Sequence, residues 1–281
     1  MLDFKRNEFS QNGEDGIIEE LFRRIGLEAR TCCEFGAWDG THLSNCRRLI
    51  QQEWHALMIE AMDEKFKVLV RNFHDNPRVT CVNRLVDDDK NSLGAIIKET
   101  GFPGELDFLS VDIDGLDYEI YSGLNIRPRV ICIEVNAAHA PDADLELSRD
   151  LAATSVGQPM EVFMRIARAK GYSLVCYSGN AFFVRDDIVR QHALEIVTPV
   201  AAYESYLKHL ESPAREWMYL VTHGLIRPHR FYHNSRVTFQ NLDIKPWRCI
   251  PMILLAAKMF LLHLKGFLQA RLSRGKTTSR A

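Results

Sequence analysis

Cys33-Glu34-Phe35-Gly36-Ala37-Trp38-Asp39-Gly40 closes a short apolar run, Thr31–Phe35, and leads into an amphipathic stretch. A strand, a glycine-bearing bend and a helix in that order bring backbone close to a ligand and aim unpaired N–H groups of the helix start at it. Glu60, 24 residues after Gly36, ends a second apolar run, where a carboxylate can accept both hydroxyls of a ribose. Loop and acid together imply a nucleoside-containing cofactor. A dinucleotide fingerprint would need glycine where Trp38 stands, and the indole is expected to block a diphosphate. With Glu34 at its base, the loop suits a cationic amino-acid group better than an anion, which favours the methyl donor S-adenosylmethionine over NAD.

Outward from this stretch, apolar runs alternate with amphipathic ones from residue 31 to 186, the pattern of a parallel sheet covered by helices. Strands are expected at Thr31–Phe35, Ala56–Glu60, Val79–Asn83, Asp107–Asp112 and Val130–Val135. Helices are expected at Leu43–Gln52, Glu64–Phe73, Ser92–Thr100 and Asp117–Leu124, after a leading helix, Glu14–Ile25, ended by Gly26. The polar stretch 136–159 reads as a long loop on the active side. A helix, Met160–Lys170, then precedes strands Ser173–Tyr177 and Ala181–Val184, joined through Ser178, Gly179 and Asn180 as a hairpin. The expected fold is α/β, Rossmann-like: a mostly parallel seven-stranded sheet ending in an antiparallel hairpin, as in class I methyltransferases, plus a C-terminal helical extension. Domain limits are expected at 1–186, at 187–243 for a segment rich in aromatics and His with one assignable helix near Ala201–Leu210, and at 244–281 for a basic helix and tail.

A second group of candidates sits at the ends of the fourth and fifth strands: Ser110-Val111-Asp112-Ile113-Asp114-Gly115 and Glu134-Val135-Asn136. Neighbouring parallel strands meet there at the carboxyl edge, where open α/β sheets bind ligands. Asp112, Glu134 and Asn136 could hold a hard divalent cation such as magnesium through oxygen, or could act on cofactor and substrate directly. If the group acted on is a hydroxyl, a poor nucleophile, a base is expected, with Asp114 and His139 the candidates beside Asp112.

Composition bounds the reading. With 281 residues, 46% hydrophobic and 26% charged, the chain can bury a large core and is neither disordered nor a disulfide-stapled miniprotein. Seven cysteines without a CxxC pair, several inside apolar runs, read as reduced buried thiols of a cytosolic protein and argue against structural zinc. Met1–Arg6 is not followed by an apolar stretch of the signal-peptide kind, so none is expected. The formal charge of −2 conceals an asymmetry. Residues 245–281 carry 8 Lys or Arg and no acid, leaving 27 basic against 37 acidic residues in 1–244. An acidic body whose basic residues form no continuous stripe speaks against nucleic acid. The mixture of Arg, His and aromatics from Thr222 to Arg236 fits either an anionic glycan or phosphate, or a surface loop.

Taken together, Phe9-Ser10-Gln11-Asn12-Gly13-Glu14-Asp15-Gly16, Glu34–Gly40, Met58-Ile59-Glu60, Leu109–Gly115 and Ile133-Glu134-Val135-Asn136 resemble the FkbM-type S-adenosylmethionine-dependent O-methyltransferases over about residues 8–186. The resemblance implies a class I fold and methyl transfer to a hydroxyl, often of a sugar or polyketide-type product. It places Gly36 and Gly40 along the methionine portion of the cofactor, Glu60 on the ribose, Asn83 at the adenine and Asp112 beside the reacting methyl. Gln11, Glu14, Asp15, Glu34 and Asp39 complete the expected cofactor contacts. A departure is Trp38, where the usual methyltransferase loop has its middle glycine. Two other classes stay open: a binding or scaffold protein that keeps the fold without turnover, against which Glu60 and Asp112 speak, and a nicotinamide oxidoreductase, against which Trp38 speaks.

The most apolar segment is Pro251–Leu272, with Lys258 and His263 interrupting its first fourteen residues, too short and charged for a spanning helix of about 20 residues. On a helical wheel Lys258, Lys265 and Gln269 share one stripe, apolar residues cover much of the rest, and Arg271, Arg274, Lys276 and Arg280 follow. Residues 251–280 therefore fit an in-plane anchor on an anionic membrane, each surface cation contributing about 1 kcal/mol. They fit equally a helix packed on its own domain or on a second subunit. The expected location is cytoplasmic, peripheral at the inner face of the membrane, with a saccharide or glycolipid as acceptor. Full-length protein should float with anionic liposomes and protein ending near Asp243 should not; equal flotation, or none by either, removes the anchor.

Overall fold

The computed structural model describes residues 1–86, 92–113, 117–135, 141–142, 146–147 and 157–209. After a 3-10 turn at Leu2–Phe4, the chain runs α1 (Glu14–Ile25), β1 (Thr31–Phe35), α2 (Arg47–Gln51), β2 (His55–Glu60), α3 (Asp63–Phe73), β3 (Val79–Asn83), α4 (Leu93–Thr100) and β4 (Phe108–Val111). It continues with α5 (Asp117–Gly123), β5 (Val130–Glu134), α6 (Met160–Lys170), β6 (Tyr172–Tyr177), β7 (Asn180–Arg185), α7 (Asp186–Gln191) and α8 (Pro199–His209).

The seven strands form one sheet in the order β3-β2-β1-β4-β5-β7-β6. The first five are parallel; β7 runs antiparallel to both β5 and β6. This is the expected Rossmann-like methyltransferase arrangement. The strand order reverses between β1 and β4, the switch point where such sheets bind ligands.

Strand alternation assigns the helices to faces. Phe108, Ser110 and Cys132 share one face of β4 and β5. Phe22 of α1 meets Phe108 edge-on at 6.4 Å and Trp54 at 4.9 Å, while Asn45, just before α2, reaches Ser110, so α1 and the start of α2 cover that face. On the other face Tyr121 of α5 stacks on Phe163 of α6 at 6.4 Å and on Phe183 of β7 at 5.9 Å. The core between the layers is apolar and includes five fully sealed thiols, Cys32, Cys33, Cys46, Cys132 and Cys176; Cys81 on β3 is half-buried.

Two expectations change. The helix expected over Leu43–Gln52 is only Arg47–Gln51, because Leu43 takes a left-handed φ of +58° and Ser44 and Asn45 turn inward to a buried carboxylate. The compact first unit runs to Leu210. Ile188 and Val189 of α7 and Ala202 and Tyr206 of α8, expected to belong to the extension, join its core. Residues 211–281 form the second unit and, with the basic tail and the Thr222–Arg236 segment, lie outside the described residues. Among the described residues no helix is long and apolar enough to cross a membrane.

At the amino edge a buried ion pair ties three elements. Arg129, ahead of β5, pairs with Asp107, ahead of β4, at 3.0 Å, and its guanidinium donates to the carbonyls of Ile25 and Gly26 at the end of α1. Asp107 Oδ2 accepts the Arg30 N–H at 2.7 Å. Removing one partner strands the other charge in the interior. Asp107→Ala should cost about 3–5 kcal/mol in urea unfolding, whereas loss of Lys67 from its exposed pair with Glu64 should leave the urea midpoint nearly unchanged. Equal, small losses at both positions would show that the clamp does not hold the edge.

Candidate functional site

The loop after β1 is shaped by a backbone crossing. Gly36, at φ +68°, passes the end of β4 so closely that a Cβ would lie 2.0 Å from the Asp112 carbonyl oxygen. Only glycine permits both that angle and that approach. Ala37 then donates to the Ile59 carbonyl at 3.1 Å, Trp38 N–H to Glu60 Oε2 at 2.8 Å, and Gly40 N–H back to the Ala37 carbonyl at 2.7 Å. Asp39 Oδ1 accepts the N–H groups of Thr41 and His42, both at 2.8 Å, fixing the next turn. Gly40 has a packing reason to be glycine: at φ +71°, a Cβ would sit 2.3 Å from the Phe73 ring and 2.6 Å from Leu69 of α3.

Trp38 does not fill the loop as expected. It takes φ +50° itself, and its indole is 46% exposed beneath Lys65 of α3, whose Nζ lies 3.7 Å from the ring centroid. Steric exclusion of a diphosphate by this side chain therefore has no support in the geometry; rejection of anions falls to the acids below.

Register sets those acids in rows. Glu60 pairs with Asn83 and Glu134 with Asn180. Phe35 pairs with Ile59 and with Val111, and Val111 with Ile133. One step further along, Asn83, Glu60, Gly36, Asp112, Glu134 and Asn180 therefore occupy one rung across the carboxyl edge, on the face covered by α1. Glu34 lies one rung deeper, in register with Ser110.

Each acid has its own surroundings. Glu60 is buried, and each oxygen accepts one backbone N–H, from Trp38 at 2.8 Å and Met62 at 2.7 Å. A second lone pair on each oxygen can still accept a hydroxyl. Asn83 donates to the Glu60 carbonyl at 3.1 Å and so braces the strand end. Glu34 faces down: Oε2 accepts from Ser44 Oγ at 2.5 Å and Oε1 from the Asn45 N–H at 2.6 Å. Burial pushes its carboxyl up to about 7 against the pull of those bonds, and the neighbouring Asp15 charge adds to the rise. Asp112 and Glu134 are half-buried at the ends of β4 and β5.

The segment Ser10–Asp15 proves architectural. Asp15 Oδ2 accepts three successive backbone N–H groups, from Glu8, Phe9 and Ser10 at 2.8, 2.8 and 2.9 Å, together with the Ser10 hydroxyl. Its Oδ1 is buried and accepts no hydrogen bond among the described residues. Glu14, fully buried and raised by desolvation, accepts from the Asn12 N–H, Ser178 Oγ and Asn180 Nδ2, which docks the β6–β7 turn against α1. Gln11 is exposed.

Asp114, His139 and Asn136 lie outside the described residues. Of the oxygen set expected for a divalent cation, Asp112 and Glu134 share one rung and Asn136 lies outside the described residues; among the described residues no group of three or more His, Cys, Asp or Glu is placed to hold a metal. Sequence reading gave no role to Ser44, Asn45 and Ser178, which donate to the buried acids, Asn45 also linking Ser110 of β4 to Cys132 of β5. Their signal was polarity at positions where a regular helix or strand should be apolar. A cavity of about 220 Å³ beside edge strand β6, between Leu2, Leu21, Val175 and Ala202, is lined by none of these groups and by no residue of the β1 loop.

Among the described residues none of Glu14, Asp15, Glu34 and Glu60 forms an ion pair with Lys or Arg. The edge is thus a buried acidic floor under a glycine cradle, touched only at longer range by Lys5 at Glu14 and by Arg48 at Asp15. That donor set fits a nucleoside carrying a positive charge and disfavours a phosphate.

No protein-family model matches the chain, and no curated protein matches it in sequence. Among solved structures it is similar to an O-methyltransferase from Bacillus cereus in complex with SAH, at 16% identity and a TM-score of 0.44, covering 65% of this chain and 85% of that one. It is also similar to the SAH-bound Podospora anserina methyltransferase PaMTH1, at 11% identity and a TM-score of 0.41 over 63% and 79% of the two chains. A SAM-dependent methyltransferase from Aquifex aeolicus is similar at 12% identity and a TM-score of 0.34 over 59% and 86%. The likeness is one of chain path.

Proposed function

We propose that the protein is an S-adenosylmethionine-dependent O-methyltransferase of the FkbM type, acting on a sugar hydroxyl of a surface glycan or lipid-linked saccharide. The observation that carries this reading is the acidic floor without an ion pair among the described residues, set under the β1 loop at the switch point of a methyltransferase-type sheet. The resemblance of Ser10–Gly16, Glu34–Gly40 and Leu109–Gly115 to that family supports the acceptor class, as does the apolar, basic segment 251–280, suited to an anionic membrane on which such a saccharide would lie.

In this reading Glu60 takes the ribose hydroxyls with its remaining lone pairs, Gly36 admits the ligand against bare backbone, and Glu34 and Asp15 supply negative potential from beneath. When bound, the donor contributes a methyl group on a sulfonium, open to in-line attack by oxygen. Asp112, half-buried on the same rung as Gly36, borders the reacting position. Its carboxylate is suited to orient the acceptor hydroxyl or take its proton, and positioning of the two reactants supplies much of the rate. Asp114 and His139 remain candidates for the same proton.

Isothermal calorimetry should detect binding of S-adenosylmethionine and S-adenosylhomocysteine and none of NAD. Glu60→Ala should weaken both by about 1–3 kcal/mol, the cost of losing a charged hydrogen-bond partner, in protein shown by circular dichroism to remain folded at the assay temperature. Transfer of labelled methyl from S-adenosylmethionine to membrane saccharides should be lost in Asp112→Asn. Wild-type protein that binds neither adenosyl ligand would end this reading.

A further inference from the structure

We propose that Glu34, with Asp15 beside it, holds a proton that is expelled when the cationic methyl donor binds above and is recovered when the ligand is the neutral thioether product, so that Glu34 discriminates donor from product. The inference rests on the methyl-donor reading.

The geometry provides for both protonation states. Glu34 lies one rung beneath Gly36 on the ligand side of the sheet, buried, with its carboxyl 2.5 Å from Ser44 Oγ and 2.6 Å from the Asn45 N–H. Ser44 Oγ also accepts the Arg47 N–H at 3.0 Å. Its hydroxyl can donate to an ionised Glu34 or use its second lone pair to accept from a protonated one, with no heavy atom moving. Asp15 lies close enough for its charge to raise Glu34, and its buried Oδ1 accepts no hydrogen bond among the described residues, so nothing there compensates a second negative charge.

The groups facing Glu34 leave this proton unopposed. They are Asp15 from α1, Cys46 ahead of α2 and Cys132 on β5, the two thiols pushed well up by burial and so neutral; Cys33, also pushed up, lies on the opposite face of β1. Arg48, which feels the Asp15 charge, is engaged with Glu19 at 2.8 Å. Burial places Glu34 at about 7, where it is divided between its two forms at neutral pH and small changes of nearby charge move it.

The charge balance of methyl transfer supplies such a change. The sulfur–carbon bond breaks with its electron pair left on sulfur, the methyl joins the acceptor oxygen, and the acceptor proton leaves to a base or water. The bound ligand thereby loses one positive charge. Glu34 then takes a proton from solvent, the floor loses negative charge, and the neutral product is held against a neutral carboxyl. Donor binding reverses this, because the sulfonium favours the ionised form.

Calorimetry at pH 7 in two buffers of different ionisation enthalpy counts the protons. A one-unit fall of a group titrating near 7 releases about 0.4 proton. That release is expected on binding S-adenosylmethionine, with about none on binding S-adenosylhomocysteine. The affinity ratio of donor to product should rise up to about tenfold between pH 6 and 8.5. Glu34→Gln can keep both local hydrogen bonds, its amide N–H donating to Ser44 Oγ, and should make the two ligands alike in proton count.

A ligand-free readout accompanies these. Glu34 titrates above the unfolded carboxyl value of 4.5, so the folded state holds more protons between that value and about 7. The urea midpoint of the wild type should therefore fall as pH rises through that window, and Glu34→Gln should flatten the fall, with Glu14 leaving a residual slope. Equal proton counts for the two ligands, or a wild-type midpoint that does not fall, overturns the proposal while the methyltransferase reading stands. Failure of both ligands to bind removes that reading and this proposal with it. If Glu34→Gln does not fold, the wild-type counts still decide.

Discussion

The crossing of Gly36 over the Asp112 carbonyl is the contact on which the carboxyl edge depends. A methyl group in place of the Gly36 hydrogen would collide with that oxygen at 2.0 Å, and because the obstacle is backbone of a central strand, nothing soft could give way. Once β1 leaves the sheet this way, its next N–H groups meet the end of β2: Ala37 finds the Ile59 carbonyl and Trp38 finds Glu60. The same exit lets Ser44 and Asn45 fold back onto Glu34. A strand-end acid, a glycine cradle and a buried carboxyl are therefore consequences of one backbone approach at the switch point.

The two edges of the sheet treat charge in opposite ways. At the amino edge, Asp107 meets Arg129, whose guanidinium also pairs with Glu28 at 3.3 Å and donates to carbonyls at the end of α1, so buried charge meets opposite charge and only cohesion results. At the carboxyl edge Glu14, Asp15, Glu34 and Glu60 are stabilised by backbone N–H groups and hydroxyls, which supply hydrogen bonds without cancelling charge. Dipoles of this kind keep acids buried while leaving a negative potential to act on a ligand.

Much of this was legible in the sequence because strand periodicity and glycine placement are local. Thr31–Phe35 and Val79–Asn83 are strands over the bounds that their apolar runs suggested, and the Gly179–Asn180 signal does mark the antiparallel hairpin. Local signals failed where a distant partner decided. Leu43–Gln52 has helical periodicity, but the demand of Glu34 for donors unwinds its first turn into Ser44 and Asn45. Trp38 read as an obstruction since sequence gives side-chain size without direction; Lys65 and a left-handed backbone angle carry the indole outward. The acids of Ser10–Asp15 read as ligand contacts, yet their bonds go to the 8–12 backbone and the β6–β7 turn, 160 residues away in the chain. The cations and aromatics of Thr222–Arg236 and the helical stripe of Lys258 and Lys265 lie outside the described residues.

The sealed cysteines give the fold a chemical inertness and, with it, an internal clock. Cys32 and Cys33 sit in β1, Cys46 before α2, Cys132 in β5 and Cys176 in β6, each buried in the core, with Cys33 on the sheet face opposite to Cys32. An alkylating reagent needs thiolate in contact with water, so none of these sulfurs reacts until its own layer opens. Cys81, half-buried on edge strand β3, stands apart and marks the side of the sheet from which fraying would first be registered. The order in which mass is added at these positions would map, strand by strand, how the molecule comes apart.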